Sequence, residues 1–252
     1  MTGVLDGKRA LITGAVANIG GATAGALGRE GARVVLVDRD PAVEATAALL
    51  RDQGAQATAL VADVSDEEAV AGVAQTVTEV LGGVDILVNN AAVHRVGPVT
   101  GFSVADWDLT FAVNVRSCFL TCRALVPVMR EAGGGAIVNT SSQVGLHGAP
   151  GATAYSASKG AIIAFTKALA LEVAGDGIRV NALCPGWVDT PFNDPAIAML
   201  GGSERHRQIV HATVPMGRQA QPEEIAAGTL FLVSDAASYM TGQVLALDGG
   251  VT

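Results

Sequence analysis

Tyr155 and Lys159 stand four residues apart in the run ATAYSASKGAIIAFTK, Ala152–Lys167. The run is rich in alanine, the strongest helix former, so it reads as a helix. Residues i and i+4 share a helix face, which sets a phenol beside an ammonium. The ammonium favours the phenolate by stabilising the ionised form, and a tyrosine tuned that way can pass a proton near neutral pH. Taken alone, the pair reads more often as a packed tyrosine with a solvated lysine. A second stretch bears on the choice. Thr13-Gly14-Ala15-Val16-Ala17-Asn18-Ile19-Gly20 follows an apolar strand and opens a helical run. A glycine-rich turn in that place lets the backbone approach a pyrophosphate and aims helix N–H groups at it. Asp38 ends the next strand. A carboxylate there accepts hydrogen bonds from both adenine-ribose hydroxyls and repels a 2′-phosphate, which favours NAD(H) over NADP(H). Arg39 is the competing signal, because a guanidinium stacks on adenine or pairs with a phosphate.

These residues need a scaffold, and the pattern around them supplies one. Apolar runs at Arg9–Thr13, Arg33–Asp38, Thr58–Asp63, Val84–Asn89, Ala136–Thr140, Ile178–Leu183 and Gln243–Leu247 read as strands. Helical stretches lie between them: Asn18–Glu30, Pro41–Gln53 with Asp40 as its cap, one opened by Ser65 with Glu67 and Glu68 in its first turn, and Trp107–Glu131, stopped by three glycines. Strands alternating with helices imply βαβ units and a parallel sheet. Thr190–Thr213 breaks the rhythm with Pro191, Pro195, Gly201 and Gly202. It reads as a loop with one or two short helices, either a lid near the C-terminal ends of the strands or a surface excursion.

Composition narrows the class. A chain of 252 residues, half of it hydrophobic and only 16% charged, suits one domain built on a sheet buried on both faces. A net charge of −8 argues against nucleic acid as a partner. Cys118, Cys122 and Cys184 form no CxxC pair and have no histidine at ligand spacing, so buried reduced thiols in a cytoplasmic protein are expected, and no metal site. The first residues lack the basic and apolar blocks of a secretory leader, and no membrane span is expected.

Taken together, these motifs resemble the short-chain dehydrogenase/reductase family over the whole chain. The family's TGxxxGxG turn is matched at Thr13, Gly14 and Gly20, with Asn18 at the middle glycine; asparagine tolerates positive φ better than other residues with side chains. Asn89-Asn90-Ala91-Ala92 stands for the family's Asn-Asn-Ala-Gly. The resemblance implies a three-layer α/β/α Rossmann fold, a doubly wound seven-stranded parallel sheet in a single domain, 1–252, with 190–213 as a substrate lid. It implies Tyr155 and Lys159 as the catalytic pair, Ser142 as the hydrogen-bond donor to the substrate oxygen, and Asn114 as the holder of a water linked to Lys159. Ser141 is the neighbouring hydroxyl, and alternation points it to the opposite side. A nicotinamide dinucleotide would then meet Gly14, Asn18, Ile19, Gly20, Asp38, Arg39, Asp63, Val64, Asn90, Ala91, Ala92, Tyr155, Lys159, Pro185, Gly186, Val188 and Thr190.

The substrate implied is a small secondary alcohol or its ketone, exchanging a hydride with NAD(H). His94, Val144, His147, Trp187, Phe192 and Met199, with Leu200, are the candidate substrate contacts. Each of the two histidines reads more often as a solvated loop residue. Alternatives are a 3-oxoacyl-(acyl-carrier-protein) reductase and a polyol or sugar dehydrogenase, in which His94, His147 and Gln143 would meet hydroxyls. Such reductases often dock their acidic carrier with arginines, and the matching points here are Gly133 and Asp176. The family also implies a homotetramer, buried through the alanine-rich faces of Trp107–Glu131 and the helix after Ala152. A catalytically idle dinucleotide sensor is the reading from outside the enzymes.

Overall fold

The computed structural model describes residues 3–252. Its strands are β1 (Arg9–Thr13), β2 (Arg33–Asp38), β3 (Gln56–Val61), β4 (Ile86–Asn89), β5 (Gly135–Thr140), β6 (Ile178–Pro185) and β7 (Val244–Leu247). The helices are α1 (Asn18–Arg29), α2 (Val43–Asp52), α3 (Glu67–Leu81), α4 (Val104–Phe111), α5 (Ser117–Glu131), α6 (Val144–His147), α7 (Thr153–Val173), α8 (Asp194–Met199), α9 (Ser203–Thr213) and α10 (Pro222–Val233). The strands join one parallel sheet in the order β3-β2-β1-β4-β5-β6-β7.

Both faces of the sheet are apolar, for a reason visible in β1 and β2. Ala10, Ile12, Val34 and Leu36 point into one core, with Leu27 of α1, Leu50 of α2 and Ile225 and Leu232 of α10. Leu11, Val35 and Val37 point into the other, with Val73 and Val77 of α3, Leu125 and Met129 of α5 and Val173 of α7. Side chains alternate along a strand, so a sheet covered on both sides needs hydrophobic residues at every position. This is the expected doubly wound α/β/α sandwich. The order of strands reverses between β1 and β4, and the crevice over their C-terminal ends is where such sheets hold ligands.

Several element ends differ from the expected ones, and side-chain caps explain most of them. β3 starts at Gln56 and stops at Val61 instead of running over Thr58–Asp63. Asp63 lies in the turn beyond, where its carboxylate accepts from the Ser65 N–H (2.8 Å) and hydroxyl (2.7 Å). Asp66, not Ser65, caps α3 by accepting from the Ala69 N–H at 2.8 Å. Asp40 accepts from the Ala42 N–H, but α2 begins only at Val43. β4 begins after Asp85, whose carboxylate is held by Arg9 at 2.8 Å. The long helix begins at Val104, three residues before Trp107, because Ser103 accepts from the Asp106 N–H at 2.9 Å. It is also not uniform: a π-helical turn, Ala112–Arg116, joins α4 to α5. By length and composition the 28-residue run Val104–Glu131 could cross a bilayer, yet half of its most apolar window is buried inside the fold. It is a core helix of the sandwich.

Candidate active site

The turn after β1 is built for close approach. Gly14 has φ +64° and Asn18 φ +55°, and Asn18 is the only non-glycine residue with positive φ among those described. Asparagine thus fills the left-handed position that the family gives to glycine. A Cβ on Gly20 would lie 2.1 Å from the Gly14 carbonyl oxygen and 2.7 Å from Asn90 Nδ2, so no side chain fits there. Asn90 Nδ2 donates to the Gly14 carbonyl at 3.0 Å, and the Asn90 and Ala91 N–H groups donate to Thr13 Oγ1 at 3.1 and 3.2 Å. These bonds stitch the end of β1 to the end of β4. Ala17 precedes α1 with no side-chain cap. The first-turn N–H groups of α1, which no helix can satisfy internally, are therefore left for an anion. Asp38 accepts from the Val16 N–H (3.2 Å) and the Asp40 N–H (3.1 Å), which fixes its carboxylate beside this turn. Arg39 beside it is exposed.

Lys159 is almost completely buried on α7, and its Nζ donates to the Thr140 carbonyl at the end of β5, at 2.7 Å. Burial lowers its pKa to about 8. The Nζ lies 5.6 Å from the centre of the Tyr155 ring. Tyr155 is buried too, and its phenol is pushed above the ordinary value, chiefly by burial, with a hydrogen bond from Ser142 pulling the other way. Burial is the largest cause of this shift, and it raises the phenol rather than lowering it. Ser141 turns away and donates to the Lys159 carbonyl at 2.7 Å, leaving Ser142 as the hydroxyl that faces Tyr155. Asn114, in the π turn, accepts from the Val93 N–H (2.8 Å) and donates to the Val93 carbonyl (3.1 Å) and to Ser158 Oγ (3.0 Å). Its amide ties the loop after β4 to α7, so its side chain is already committed, and a water relay through this residue has to use its backbone.

One cavity of about 570 Å³ runs from Asp38, Arg39, Gly14, Asn18 and Ile19 past Asn90 and Ala92 to Ser142, Tyr155 and Lys159, and on to Pro185, Gly186, Val188 and Thr190. His94, Val144, Trp187, Phe192, Met199 and Leu200 line its far end. The His94 ring sits 4.3 Å from that of Tyr155 and stacks on Phe192 at 5.4 Å. Burial lowers its pKa to about 4, so the imidazole is neutral at physiological pH. Trp187 packs edge-on against His206 of α9 at 4.5 Å. His147 is not brought in: it is exposed, with Nδ1 on the Gly148 carbonyl at 2.7 Å. Asp63, Val64, Gly20, Ala91 and Asn114, expected at the site, are not among the residues that line this cavity, and Val64 is instead buried in the core. Val96, Pro150 and Ile209 line the cavity without having been marked by any motif. Their only signal in the sequence is an apolar side chain in a loop or on an otherwise polar helix.

The site fits a nicotinamide dinucleotide: an uncapped helix start, a turn closed to any side chain, the Asp38 carboxylate and a Ser-Tyr-Lys group lie along one cavity. Among the described residues no cluster of three or more His, Cys, Asp or Glu side chains could hold a metal ion.

The comparisons with known proteins agree. A family model described as enoyl-(acyl carrier protein) reductase matches residues 14–252. Cyclopentanol dehydrogenase of a Comamonas species is 42% identical over 251 residues, 99% of each chain. The 3-oxoacyl-(acyl-carrier-protein) reductase of Thermotoga maritima is 38% identical over 250 residues, 98% of each chain. A crystal structure from Beutenbergia cavernae, presented as that of an NAD(P)-dependent gluconate 5-dehydrogenase with NADP at low occupancy, superposes with a TM-score of 0.92. It is 40% identical, and the match covers 98% of this chain and 97% of that one. The chain belongs to the short-chain dehydrogenase/reductase family. It is an oxidoreductase of alcohol or keto substrates that uses a nicotinamide cofactor.

Proposed function

We propose that the protein is an NAD(H)-dependent dehydrogenase of small secondary alcohols, working through Ser142, Tyr155 and Lys159. The observation that carries this reading is the convergence of those three side chains on one cavity that also reaches Asp38 and the uncapped start of α1. When bound, the nicotinamide supplies or accepts the hydride. Tyr155 gives its proton to the substrate oxygen in reduction and takes it back in oxidation. A buried phenol with a raised pKa is held protonated, which suits the acid role. Ser142 donates to the same oxygen where charge develops. Lys159, anchored on Thr140, holds the nicotinamide ribose. Pro185, Gly186, Val188 and Thr190 border the nicotinamide end, and Asp63 and Val64 the adenine. An initial-rate panel of secondary alcohols, polyols and acyl thioesters with both cofactors tests the reading; no turnover of any alcohol would return the chain to the idle-sensor class.

Asp38 supports the choice of NAD(H). A 2′-phosphate would lie against its carboxylate, and like charges in contact are costly. We expect kcat/KM with NAD⁺ to exceed that with NADP⁺ by about tenfold or more. Equal use of NADP⁺ would shift the role to Arg39. A carrier-protein reductase is less favoured, because Gly133 is neutral and Asp176 is acidic and already paired with Arg130 at 2.7 Å.

The stretch 190–213 has the layout of a lid. It leaves and returns beside a bridge between Val188 and Ala220, and in it α8 and α9 bring Met199 and Ile209 to the cavity wall. Hydrogen exchange in α8 and α9 should slow when NADH and a ketone are added; slow exchange that ligands leave unchanged would make the segment a fixed wall. Exposed apolar side chains on α4, α5 and α7, namely Trp107, Phe119 and Leu171, support a homotetramer buried through these helices. Light scattering should give four times the chain mass, and a stable monomer would refute it. The protein is expected to work in the cytoplasm on a small molecule, with no membrane and no nucleic acid as partner.

A further inference from the structure

Two buried polar atoms in the cavity lack a hydrogen-bond partner among the described residues: Gln143 Oε1 and His94 Nδ1. Both residues line the substrate end. Gln143 is only 7% exposed, and its N–H is used by the Pro185 carbonyl at 3.0 Å, so the residue is anchored while its side-chain oxygen is not satisfied. A buried acceptor without a partner is costly, and natural interiors avoid it unless something else completes the bond. The two residues adjoin the catalytic side chains from different elements. Gln143 follows Ser142 directly at the end of β5, and the His94 ring lies against the Tyr155 ring from the loop after β4.

We infer that the substrate carries a second hydroxyl on the carbon next to the one that reacts, held by Gln143 and His94: a vicinal diol, or the corresponding α-hydroxy ketone. The inference rests on the dehydrogenase reading above. With Ser142 and Tyr155 gripping the reacting oxygen, the acceptors beside them lie within reach of a neighbouring substituent. A hydroxyl suits both, because it donates to the Gln143 oxygen and meets either tautomer of a neutral imidazole. Most of the rest of this end is apolar, with Val144, Pro150, Met199 and Leu200, and the Asn193 amide is spent on the Val188 carbonyl at 2.7 Å. That wall fits an alkyl remainder and not a sugar with a hydroxyl on every carbon.

The test uses 2,3-butanediol and 2-butanol with NAD⁺, and acetoin and 2-butanone with NADH. A site built to bond a substrate hydroxyl rejects the analogue that lacks it. The wild-type protein should favour the diol and the hydroxy ketone by about tenfold or more in kcat/KM. Gln143→Leu and His94→Phe, which keep bulk and ring stacking, should each shrink that ratio severalfold, mainly through KM. Equal efficiency on all four compounds in the wild type overturns the inference and leaves the dehydrogenase reading standing. So does a ratio that survives both substitutions, or a Gln143→Leu loss that appears equally in NADH affinity by fluorescence titration. Turnover of none of the four, nor of other secondary alcohols, overturns the reading beneath it and the inference with it.

Discussion

Replacing Tyr155 by phenylalanine is expected to lower turnover about a thousandfold, the size of a lost general acid–base, while NADH still binds. The substitution removes one oxygen and leaves the ring. The contact with His94 at 4.3 Å and the anchor of Lys159 on Thr140 persist, so the site keeps its shape. What disappears is the proton donor and the partner of Ser142. The pH profile of the unaltered enzyme carries the matching sign. Burial raises the phenol pKa, so reduction, which spends the proton, runs without a prior ionisation. Oxidation requires the phenolate and should gain rate as pH rises. Steady-state rates beside a fluorescence titration decide the matter, and retention of most activity in Tyr155→Phe would remove the residue from the proton path.

Alanine at Gly20 should be the most damaging single methyl in the turn. It would sit 2.1 Å from the Gly14 carbonyl oxygen and 2.7 Å from Asn90 Nδ2. The backbone oxygen is fixed by β1, so the turn must open, and the bond from Asn90 to Gly14 breaks with it. Overpacking of this kind costs about 1–3 kcal/mol, and the misplaced helix start should weaken NADH binding beyond that. Gly21→Ala is the control. There the nearest atom, the Ala15 carbonyl oxygen, is 3.6 Å away, an ordinary contact, and alanine gains up to about 1 kcal/mol in helix propensity. Thermal melts and NADH titrations of the pair should diverge; equal behaviour would show that the turn has slack.

β1 and β2 were legible to the residue, since buried parallel strands are continuous apolar runs with nothing else to compete for them. β3 was not, because it is an edge strand with a half-exposed pattern and its end is set by a carboxylate that folds back on Ser65. The start of the long helix was hidden by the Ser103 cap, readable in principle from a serine three residues before Asp106. The π turn around Asn114 left no trace in the residue pattern. In the site, the spacing of Tyr155 and Lys159 was enough to place them together. Spacing carries no information on burial, however, and burial is what sets the sign of the phenol's shift and sends the ammonium to Thr140. His147 differs from His94 for the same reason: both are loop histidines, and only packing on Tyr155 and Phe192 separates them.

The two equally apolar faces of the sheet raise the question of what keeps the strands from sliding. In an amphipathic sheet, a slip by one residue throws hydrophobic side chains into water and is punished at once. Here a slip of β1 would only exchange Leu11 with Ile12 between two dry cores. Alternation therefore supplies little alignment. Alignment has to come from the strand ends, where Thr13 Oγ1 receives the N–H groups of Asn90 and Ala91 and sets Ile12 opposite Val88. The threonine that opens the glycine-rich turn is in this sense also the pin that indexes the two central strands. Removing its hydroxyl would loosen the folding register and the ligand site together.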